Sequence, residues 1–262
     1  MPSSALHVAR TGFEAQDARM RVIANNLANI GTTGFKRDRA NFATLAYQDA
    51  RVAGQQSSNE TAYATGVNLG TGVSIQSTTS ITTQGTLNPT GNALDMALDG
   101  DGYFQVQLPG GRLGYTRAGN FTRSAEGQLV TAQGYAVQPP ITIPEGASGV
   151  TVGPDGTVSV TVAGSTAPTE LGQITVASFA NPAGLQALGD NYLSETAASG
   201  AAQLGAPGDG GRGNLRQGML EASNVNVVEE LVDMIECQRA YEINSKMISA
   251  VDEMLRNANQ TL

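Results

Sequence analysis

Residue types that usually carry catalysis are sparse in this chain. His7 is the single histidine, so a two-histidine metal site cannot form within one chain, and any serine–histidine–aspartate relay would have to use it. His7 falls in the first turns of a predicted helix, where a solvated or interhelical histidine is the simpler interpretation. Acidic residues are plentiful, but no pair has a spacing that indicates a general acid and base, so carboxylate catalysis is left unsupported.

Two glycine-rich stretches and the lone cysteine have simpler structural interpretations. Asp99-Gly-Asp-Gly102 has the start of a calcium loop but lacks the later ligands, so we expect a tight turn that enters a strand. The stretch from Gly208 to Gly213 lacks the Gly-Lys-Ser/Thr of a phosphate loop and is interpreted as a flexible linker. Cys237 is expected to be a small buried apolar residue. The sequence therefore predicts no metal, no cofactor and no catalytic residue.

Three asparagines form a further polar group. Asn25, Asn26 and Asn29 share one helix face by their i, i+3 and i+4 spacing. Their amides could bond to another subunit or to the turn that follows. The alternative is a helix end that is merely rich in asparagine.

The asparagines end a stretch with helical periodicity at the N-terminus. The spacing predicts a helix from Ser3 to Ile30 that ends at Gly31. One line of apolar residues repeats every seven positions and a second runs three residues further on, broken once by Gln16. The first line is Leu6, Phe13, Met20 and Leu27, and the second is Ala9, Ile23 and Ile30.

The C-terminus repeats this pattern. Asn226 and Glu229 have the spacing of a capping box and predict a helix start. Apolar residues then repeat every seven positions, and a second set flanks them. Further apolar residues lie outside both sets, so we expect this helix to contact neighbours on several sides. The first line is Val227, Met234, Tyr241, Ile248 and Leu255; the flanking residues are Leu231, Cys237 and Val251; those off the lines are Val228, Ile235, Met247 and Met254.

Between the two ends the period changes to two. Residues 150–162 alternate around Pro154-Asp155-Gly156 and predict a hairpin. Similar alternation surrounds Pro109-Gly110-Gly111 and Glu126-Gly127. Further strands are predicted at Tyr135 to Val137 and at Leu171 to Phe179.

The predicted fold class is α+β, a discontinuous two-helix coiled coil of the chain ends with a central antiparallel all-β domain. Residues 1–30 and 216–262 are assigned to the paired helices and residues 71–215 to the β domain. Residues 31–70 are polar and lack a sustained period, which indicates an extended linker. The paired helices alone would be only marginally stable, because ordering them costs about as much as their apolar seam contributes. Order at the ends is therefore expected to depend on assembly.

Composition excludes several classes of protein. The net charge is −8, and no basic patch with interleaved aromatics argues for nucleic acid. The charge is uneven: residues 1–50 hold 6 basic and 4 acidic side chains, whereas residues 216–262 hold 4 and 8. No apolar run approaches the roughly 20 residues of a membrane span, and no cleaved signal peptide is evident.

Motifs at both chain ends resemble those of the bacterial flagellar rod and hook family. The N-terminal likeness is Asn25-Asn-Leu-Ala-Asn29 followed by Thr32-Thr-Gly-Phe-Lys36. The C-terminal likeness is Ser223-Asn-Val-Asn226, Val228-Glu-Glu-Leu-Val and Gln238-Arg-Ala-Tyr-Glu-Ile-Asn-Ser-Lys246. Four central segments are similar to the distal rod type of that family, and the likeness covers nearly the whole chain. These segments are residues 67–73, 84–87, 98–106 and 115–121.

The resemblance implies a structural subunit without enzymatic activity. Such subunits form a helical tube that crosses the periplasm, transmits torque to the hook and gives passage to exported subunits. The implied partners are other copies of the chain, proximal rod and hook proteins, the surrounding outer-membrane and peptidoglycan rings, and the flagellar type III export apparatus. The stretch 47–66 resembles the segment that distinguishes the stiff rod from the flexible hook.

The resemblance also favours a subunit-packing role for the asparagines and the helical lines. The alternatives are a proximal rod or hook subunit and, in another class, a cell-wall-associated binding module or glycan-acting enzyme. The residues expected to pack subunits together are Leu6, Phe13, Met20, Asn25, Asn26, Leu27, Asn29, Ile30, Val227, Leu231, Met234, Tyr241, Ile248 and Leu255.

Overall fold

A computed structural model describes residues 2–56, 63–162 and 167–260. The chain divides into two compact units, each assembled from separate stretches of sequence. The first unit comprises Met1–Leu27, Asp38–Thr79 and Asn226–Leu262. The second comprises Ala28–Arg37 and Ser80–Val225.

The two predicted terminal helices are confirmed. Helix α1 spans Pro2–Ala28 and helix α2 spans Val227–Gln260. Asn226 caps α2, because its Oδ1 accepts a hydrogen bond of 3.1 Å from the Val228 N–H. Glu229 and Glu230 lie in the first turn, where negative charge complements the helix dipole.

The first unit also contains two pairs of strands. The first strand pairs with the fourth, and the second pairs antiparallel with the third. These strands lie largely within residues 31–70, which the sequence assigned to an extended linker. Polar, aperiodic composition hid them because neither face of these strands is buried. Their bounds are β1 (Asp38–Thr44), β2 (Gln48–Arg51), β3 (Val67–Leu69) and β4 (Val73–Ser80).

The second unit is the central antiparallel β region. Its strands are β5 (Leu87–Pro89), β6 (Met96–Asp99), β7 (Tyr103–Gln107), β8 (Leu113–Thr116), β9 (Thr122–Arg123), β10 (Leu129–Val130), β11 (Val137–Gln138), β12 (Ala147–Val152), β13 (Thr157–Val162), β14 (Thr169–Gln173), β15 (Val176–Ser178), β16 (Gln186–Gly189), β17 (Tyr192–Ser194), β18 (Gln203–Gly205), β19 (Asn214–Gln217) and β20 (Met219–Glu221). The largest sheet has the order β16-β17-β8-β7-β15-β18, and β11 also pairs with β7. Strands β12, β13 and β14 form a second sheet, while β19 pairs with β6 and β20 with β5.

The predicted hairpins are confirmed. Strands β12 and β13 pair with Val150 opposite Val160 and Val152 opposite Val158, and Gly156 supplies the positive φ of 87° in the connecting turn. Strands β7 and β8 flank Pro109–Gly111, and β9 and β10 flank Gly127. The turn predicted at residues 99–102 lies between β6 and β7.

Apolar side chains from several strands form the core of the second unit. Phe104 and Phe121 meet edge to face with ring centroids 5.1 Å apart. Around them pack Met96, Leu98, Val106, Val137, Ile174 and Val176, all of which are buried.

Three sequence interpretations differ from the structure. The segment 171–179 is two strands rather than one, because β14 pairs with β13 whereas β15 pairs with β7 and β18. Residues 216–221, assigned to the helical end, lie in β19 and β20, whose backbones pair with β6 and β5. Residues 208–213 form a hydrogen-bonded loop instead of a flexible linker, since the Gly213 N–H donates to Asp101 O at 2.7 Å.

Candidate assembly and packing sites

Helices α1 and α2 lie side by side in the first unit. The Phe13 and Tyr241 rings have centroids 4.5 Å apart. Arg19 Nη2 donates to Asp233 Oδ1 at 2.9 Å. Residue numbers rise along one helix as they fall along the other, so the two helices run antiparallel.

Asn26 makes hydrogen bonds to both α2 and the strand that follows α1. Its Nδ2 donates to both carboxylate oxygens of Glu230 at 3.3 Å, and Asn26 and Glu230 are 1% and 0% exposed. The same amide bonds to the backbone of Asp38, with Nδ2 donating to Asp38 O and Oδ1 accepting from Asp38 N, each at 2.9 Å. One side chain thus joins α1, α2 and the first residue of β1.

Cys237 lies where the helices approach closely. Its Sγ donates to the backbone oxygen of Gln16 at 3.2 Å, and the side chain is fully buried, which confirms the prediction of a buried cysteine. Burial raises the pKa of the Cys237 thiol, and the positive charge of Arg19 offsets part of that rise. Gly12 faces Asn244, and a methyl group on Gly12 would lie 3.3 Å from the Asn244 amide.

The predicted packing residues occupy three kinds of position. Asn26 is buried, whereas Asn25, Val227, Leu231 and Tyr241 are exposed. Half-buried positions are taken by Leu6, Phe13, Met20, Leu27, Asn29, Ile30, Met234 and Ile248. Leu255 lies within α2, but its side chain is outside the described residues. The buried positions of α1 are Ala9, Thr11, Ala15, Ile23 and Asn26, of which Thr11 lies against Val73, whose N–H donates to its Oγ1.

A second apolar face of α2 is left uncovered within the described chain. Val228, Ile235, Met247 and Met254, which the sequence placed off the main lines, are all exposed. Val232 and Ile243 extend the same exposed apolar surface. Large apolar patches on a chain commonly mark a surface that another molecule covers.

A buried ion cluster organises the second unit. Glu221 accepts from Lys36 Nζ at 2.5 Å through Oε1 and from Arg117 Nε at 2.9 Å through Oε2. Arg117 Nη1 also donates to the carbonyls of Gly100 and Gly102 at 2.8 and 2.7 Å. Lys36 Nζ donates further to Thr83 O at 2.8 Å. Each buried charge therefore has both an opposite charge and additional hydrogen bonds.

Glu221 also links three connecting segments of the second unit. The Gly34 N–H donates to the backbone oxygen of Glu221 at 2.7 Å, and the Gly85 N–H donates to its Oε1 at 2.9 Å. Asn224 strengthens this link, because its Oδ1 accepts from Arg37 N and its Nδ2 donates to Ile81 O. Segments 34–37, 81–85 and 221–224 are thereby held together.

Burial changes the protonation chemistry of this cluster. It lowers the pKa of Lys36, although the hydrogen bond and the negative charge of Glu221 counteract the effect. Burial raises the pKa of Tyr103, whose ring lies 5.9 Å from the Arg117 guanidinium carbon. Both shifts follow from the low polarity around the cluster.

The described residues hold little that could support catalysis. Among them no group of three or more histidine, cysteine or acidic side chains is placed to hold a metal ion. A polar cavity of about 140 Å³ is lined mainly by hydroxyl and amide groups, with Asp190 as the carboxylate among its described lining residues. In the described part of the chain, neither helix is long and apolar enough to span a membrane.

Comparison with known proteins gives the family of this chain. Three family models match: "Flagella basal body rod protein" at residues 6–36, "Flagellar hook protein FlgE/F/G D1 domain" at 97–160 and "Flagellar basal body rod FlgEFG protein C-terminal" at 216–261. The flagellar basal-body rod protein FlgG of Buchnera aphidicola is 50% identical, covering 97% of this chain and 98% of the relative. The chain belongs to the flagellar basal-body rod protein family.

Further relatives of this rod family are similar over nearly the full length. FlgG of Caulobacter vibrioides is 49% identical, with 98% of each chain covered, and FlgG of Bacillus subtilis is 39% identical, with 96% of each covered. The rod protein FlgF of Caulobacter vibrioides is 35% identical over 268 residues. Within one organism the likeness is thus greater to FlgG than to FlgF. Rod proteins are structural, so the family membership identifies a structural subunit rather than an enzyme.

Each of the three matched regions contains one residue of the buried ion cluster. Lys36 lies in the first matched region, Arg117 in the second and Glu221 in the third. Lys36 and Arg117 lie in motifs that resemble the rod family, but the sequence did not indicate that either residue is buried in an ion pair. Glu221 was missed altogether, and its one signal was an isolated acid at the end of an apolar strand pattern.

Proposed function

We propose that this chain is a subunit of the distal rod, which polymerises into a helical tube through its terminal helices. The exposed apolar face of α2 is the observation that carries this proposal. Covering an aliphatic side chain contributes about 1.5–3 kcal/mol when burial is complete, so several such residues would supply a substantial driving force. Other copies of the chain are the occupants that a rod protein offers.

The composition of the helix seam supports assembly-dependent order. The buried positions of α1 and α2 are mostly small or polar, including Ala9, Ala15, Asn26, Glu230 and Cys237. Such a seam contributes less apolar burial than one of leucines, so the pair gains little from its own contacts. Binding of partner copies stabilises only the ordered state, so the helices are expected to become fully ordered on assembly.

The finer features follow from this arrangement. The antiparallel helices would form a coiled coil, with Leu6, Phe13, Met20 and Leu27 packing towards neighbouring helices. Asn25, Asn29, Ile30, Val227, Leu231, Met234, Tyr241, Ile248 and Leu255 would complete the contacts between subunits.

The surrounding partners follow from the place of a distal rod. The tube would cross the periplasm, transmit motor torque to the hook and give passage to exported subunits. Proximal rod and hook proteins would contact its ends, and the outer-membrane and peptidoglycan rings would surround it. The flagellar type III apparatus would export the chain without cleavage of a signal. The greater identity to FlgG than to FlgF favours this assignment over another rod subunit.

Charged substitutions on the exposed face of α2 test the proposal. Ile235 and Ile243 are 50% and 60% exposed, so Ile235→Asp and Ile243→Asp should change the free energy of unfolding of the monomer by less than about 1 kcal/mol. Both should abolish rod assembly and motility in cells that lack the native protein. Gln238→Asp adds the same charge at an exposed polar position and is the control. Normal rods in electron micrographs of both isoleucine variants would contradict the proposal.

A further inference from the structure

The contact between Asn26 and Glu230 is a polar interaction in a place where apolar packing would be expected. Both side chains are buried, and the amide Nδ2 lies 3.3 Å from each carboxylate oxygen. Burying a carboxylate is unfavourable, and pairs of this kind are often no better for stability than apolar residues of similar size. A benefit other than stability is therefore the more economical explanation.

The apolar lines of the helices leave their alignment ambiguous. Ala9, Gln16 and Ile23 repeat every seven residues around the contact with Cys237, so sliding one helix by seven residues again places a small or apolar side chain against Cys237. A buried polar pair does not repeat in this way. A slip that brought Cys237 opposite Asn26 would separate Asn26 from Glu230 and leave a buried amide facing a thiol.

Asn26 also sets the helices against the strand that follows α1. Its amide bonds to both the N–H and the C=O of Asp38, as the backbone of a neighbouring strand would. Asn26 is therefore fixed in its position along the axis of α1 relative to β1. Sliding of α2 breaks the contact with Glu230, because Asn26 cannot follow it without breaking the contacts to Asp38.

We propose that Asn26 and Glu230 determine the register of the terminal helices. The pair selects one alignment of α1 and α2 over alignments shifted by seven residues, including those offered by α2 of a second copy. The consequence for assembly rests on the proposed function: subunits with a uniform register present identical apolar faces, which a regular helical tube requires. The register itself is a property of the single chain.

Cysteine cross-linking to Cys237 measures the register directly. Gln16→Cys places a thiol next to Cys237 in the observed alignment, because Cys237 Sγ already contacts Gln16. Ala9→Cys and Ile23→Cys place it seven residues away on either side and report slipped alignments. Each substitution is made in the full chain and oxidised with diamide until the product no longer increases, so that slow reaction of the buried Cys237 thiol does not affect the comparison. The intrachain disulfide, which requires direct contact of the two thiols, is then quantified by mass spectrometry.

The double substitution Asn26→Leu/Glu230→Leu removes the buried polar pair. In the native background we expect cross-linking at position 16 alone, and in the double variant the ratio of native to slipped products should fall by about tenfold, as for loss of a register-specifying polar contact. Asp17→Leu/Arg21→Leu is the control, since it removes an exposed pair within α1 whose Nη2–Oδ2 distance is 2.8 Å. This control should keep the native pattern.

A second variant covers the case in which the double variant fails to fold. Asn26→Asp keeps the size of the side chain but places a second carboxylate against Glu230, so slipped products should again appear. Circular dichroism of each variant shows whether the helices are present. A native cross-link pattern in a folded double variant, or in Asn26→Asp where the double variant is unfolded, would overturn the register proposal.

Failure of assembly is a separate result. If the unsubstituted chain does not self-assemble, the proposed function fails, while the cross-link pattern of the single chain still decides the register. If rods form normally and slipped products never appear after Asn26→Asp, the function stands and the register proposal is wrong.

Discussion

Arg117 Nε lies 2.9 Å from Glu221 Oε2, and these side chains are only 4% and 0% exposed. An ion pair so deeply buried contributes little net stability compared with apolar packing, but losing one partner is costly. Lys36 shares the same carboxylate, so Glu221 balances two positive charges at once. Removal of the Glu221 carboxylate is therefore expected to destabilise the second unit.

Glu221→Gln should destabilise the chain strongly. The change leaves Lys36 and Arg117 buried without their opposite charge, which typically costs about 3–5 kcal/mol. The free energy of unfolding from urea titration measures this loss. Glu170→Gln makes the same chemical change at an exposed position and should alter the free energy by less than about 0.5 kcal/mol. Equal effects of both substitutions would show that the cluster is unimportant.

Lys36→Met should change the pH dependence of stability. Because the pKa of Lys36 is lowered in the folded state, the unfolded chain binds more protons between that lowered pKa and the ordinary value of lysine. The unfavourable burial of the charged amine is thus present at lower pH and is relieved as pH rises through this window. The free energy of unfolding of the native protein should rise with pH relative to Lys36→Met.

The measurement for Lys36 is a series of urea titrations across the alkaline range. Tyr103 contributes the opposite slope, since its raised pKa means that the unfolded chain loses its proton first. That phenol is common to both proteins, so the difference between them isolates Lys36. A parallel pH dependence of the two proteins would contradict the assigned role of burial.

Gly34→Ala should be more harmful than an ordinary glycine substitution. Gly34 has a φ of 68°, and an added Cβ would lie 2.7 Å from the carbonyl carbon of Arg117. Gly91 has a similar φ of 74° with no atom within 4 Å of an added Cβ, so Gly91→Ala isolates the backbone strain. That strain costs about 1–2 kcal/mol. The midpoint of urea unfolding should fall further for Gly34→Ala than for Gly91→Ala.

Cys237 should react slowly with iodoacetamide while α1 and α2 are paired. Burial raises the pKa of its thiol, so the reactive thiolate is a smaller fraction at neutral pH, and packing also limits access of the reagent. Cys237→Ser/Ser245→Cys moves the thiol to an exposed position on the same helix and should react at least about tenfold faster. Mass spectrometry over time gives both rates, and similar rates would show that the helices open readily in the monomer.

Periodicity made much of the fold predictable. Period seven identified both helices, and alternation around Pro154-Asp155-Gly156 identified the hairpin, because these signals come from neighbours in sequence. Strands β1 to β3 were missed because none of their residues is fully buried and their sequences carry no sustained apolar alternation. The seven-residue apolar lines predicted that the two helices pack through large side chains. In the structure, small and polar residues such as Ala9 and Asn26 occupy buried positions of α1.

The amino-acid sequence by itself determined the two terminal helices, the antiparallel β region between them and the family likeness, since each is encoded in local patterns. Only the tertiary structure decided which polar residues matter. Asn26 meets Glu230 across 204 positions and Arg117 meets Glu221 across 104. Whether a charged side chain is solvated or buried against a distant partner depends on how the chain folds back on itself, and that information is absent from its immediate neighbours.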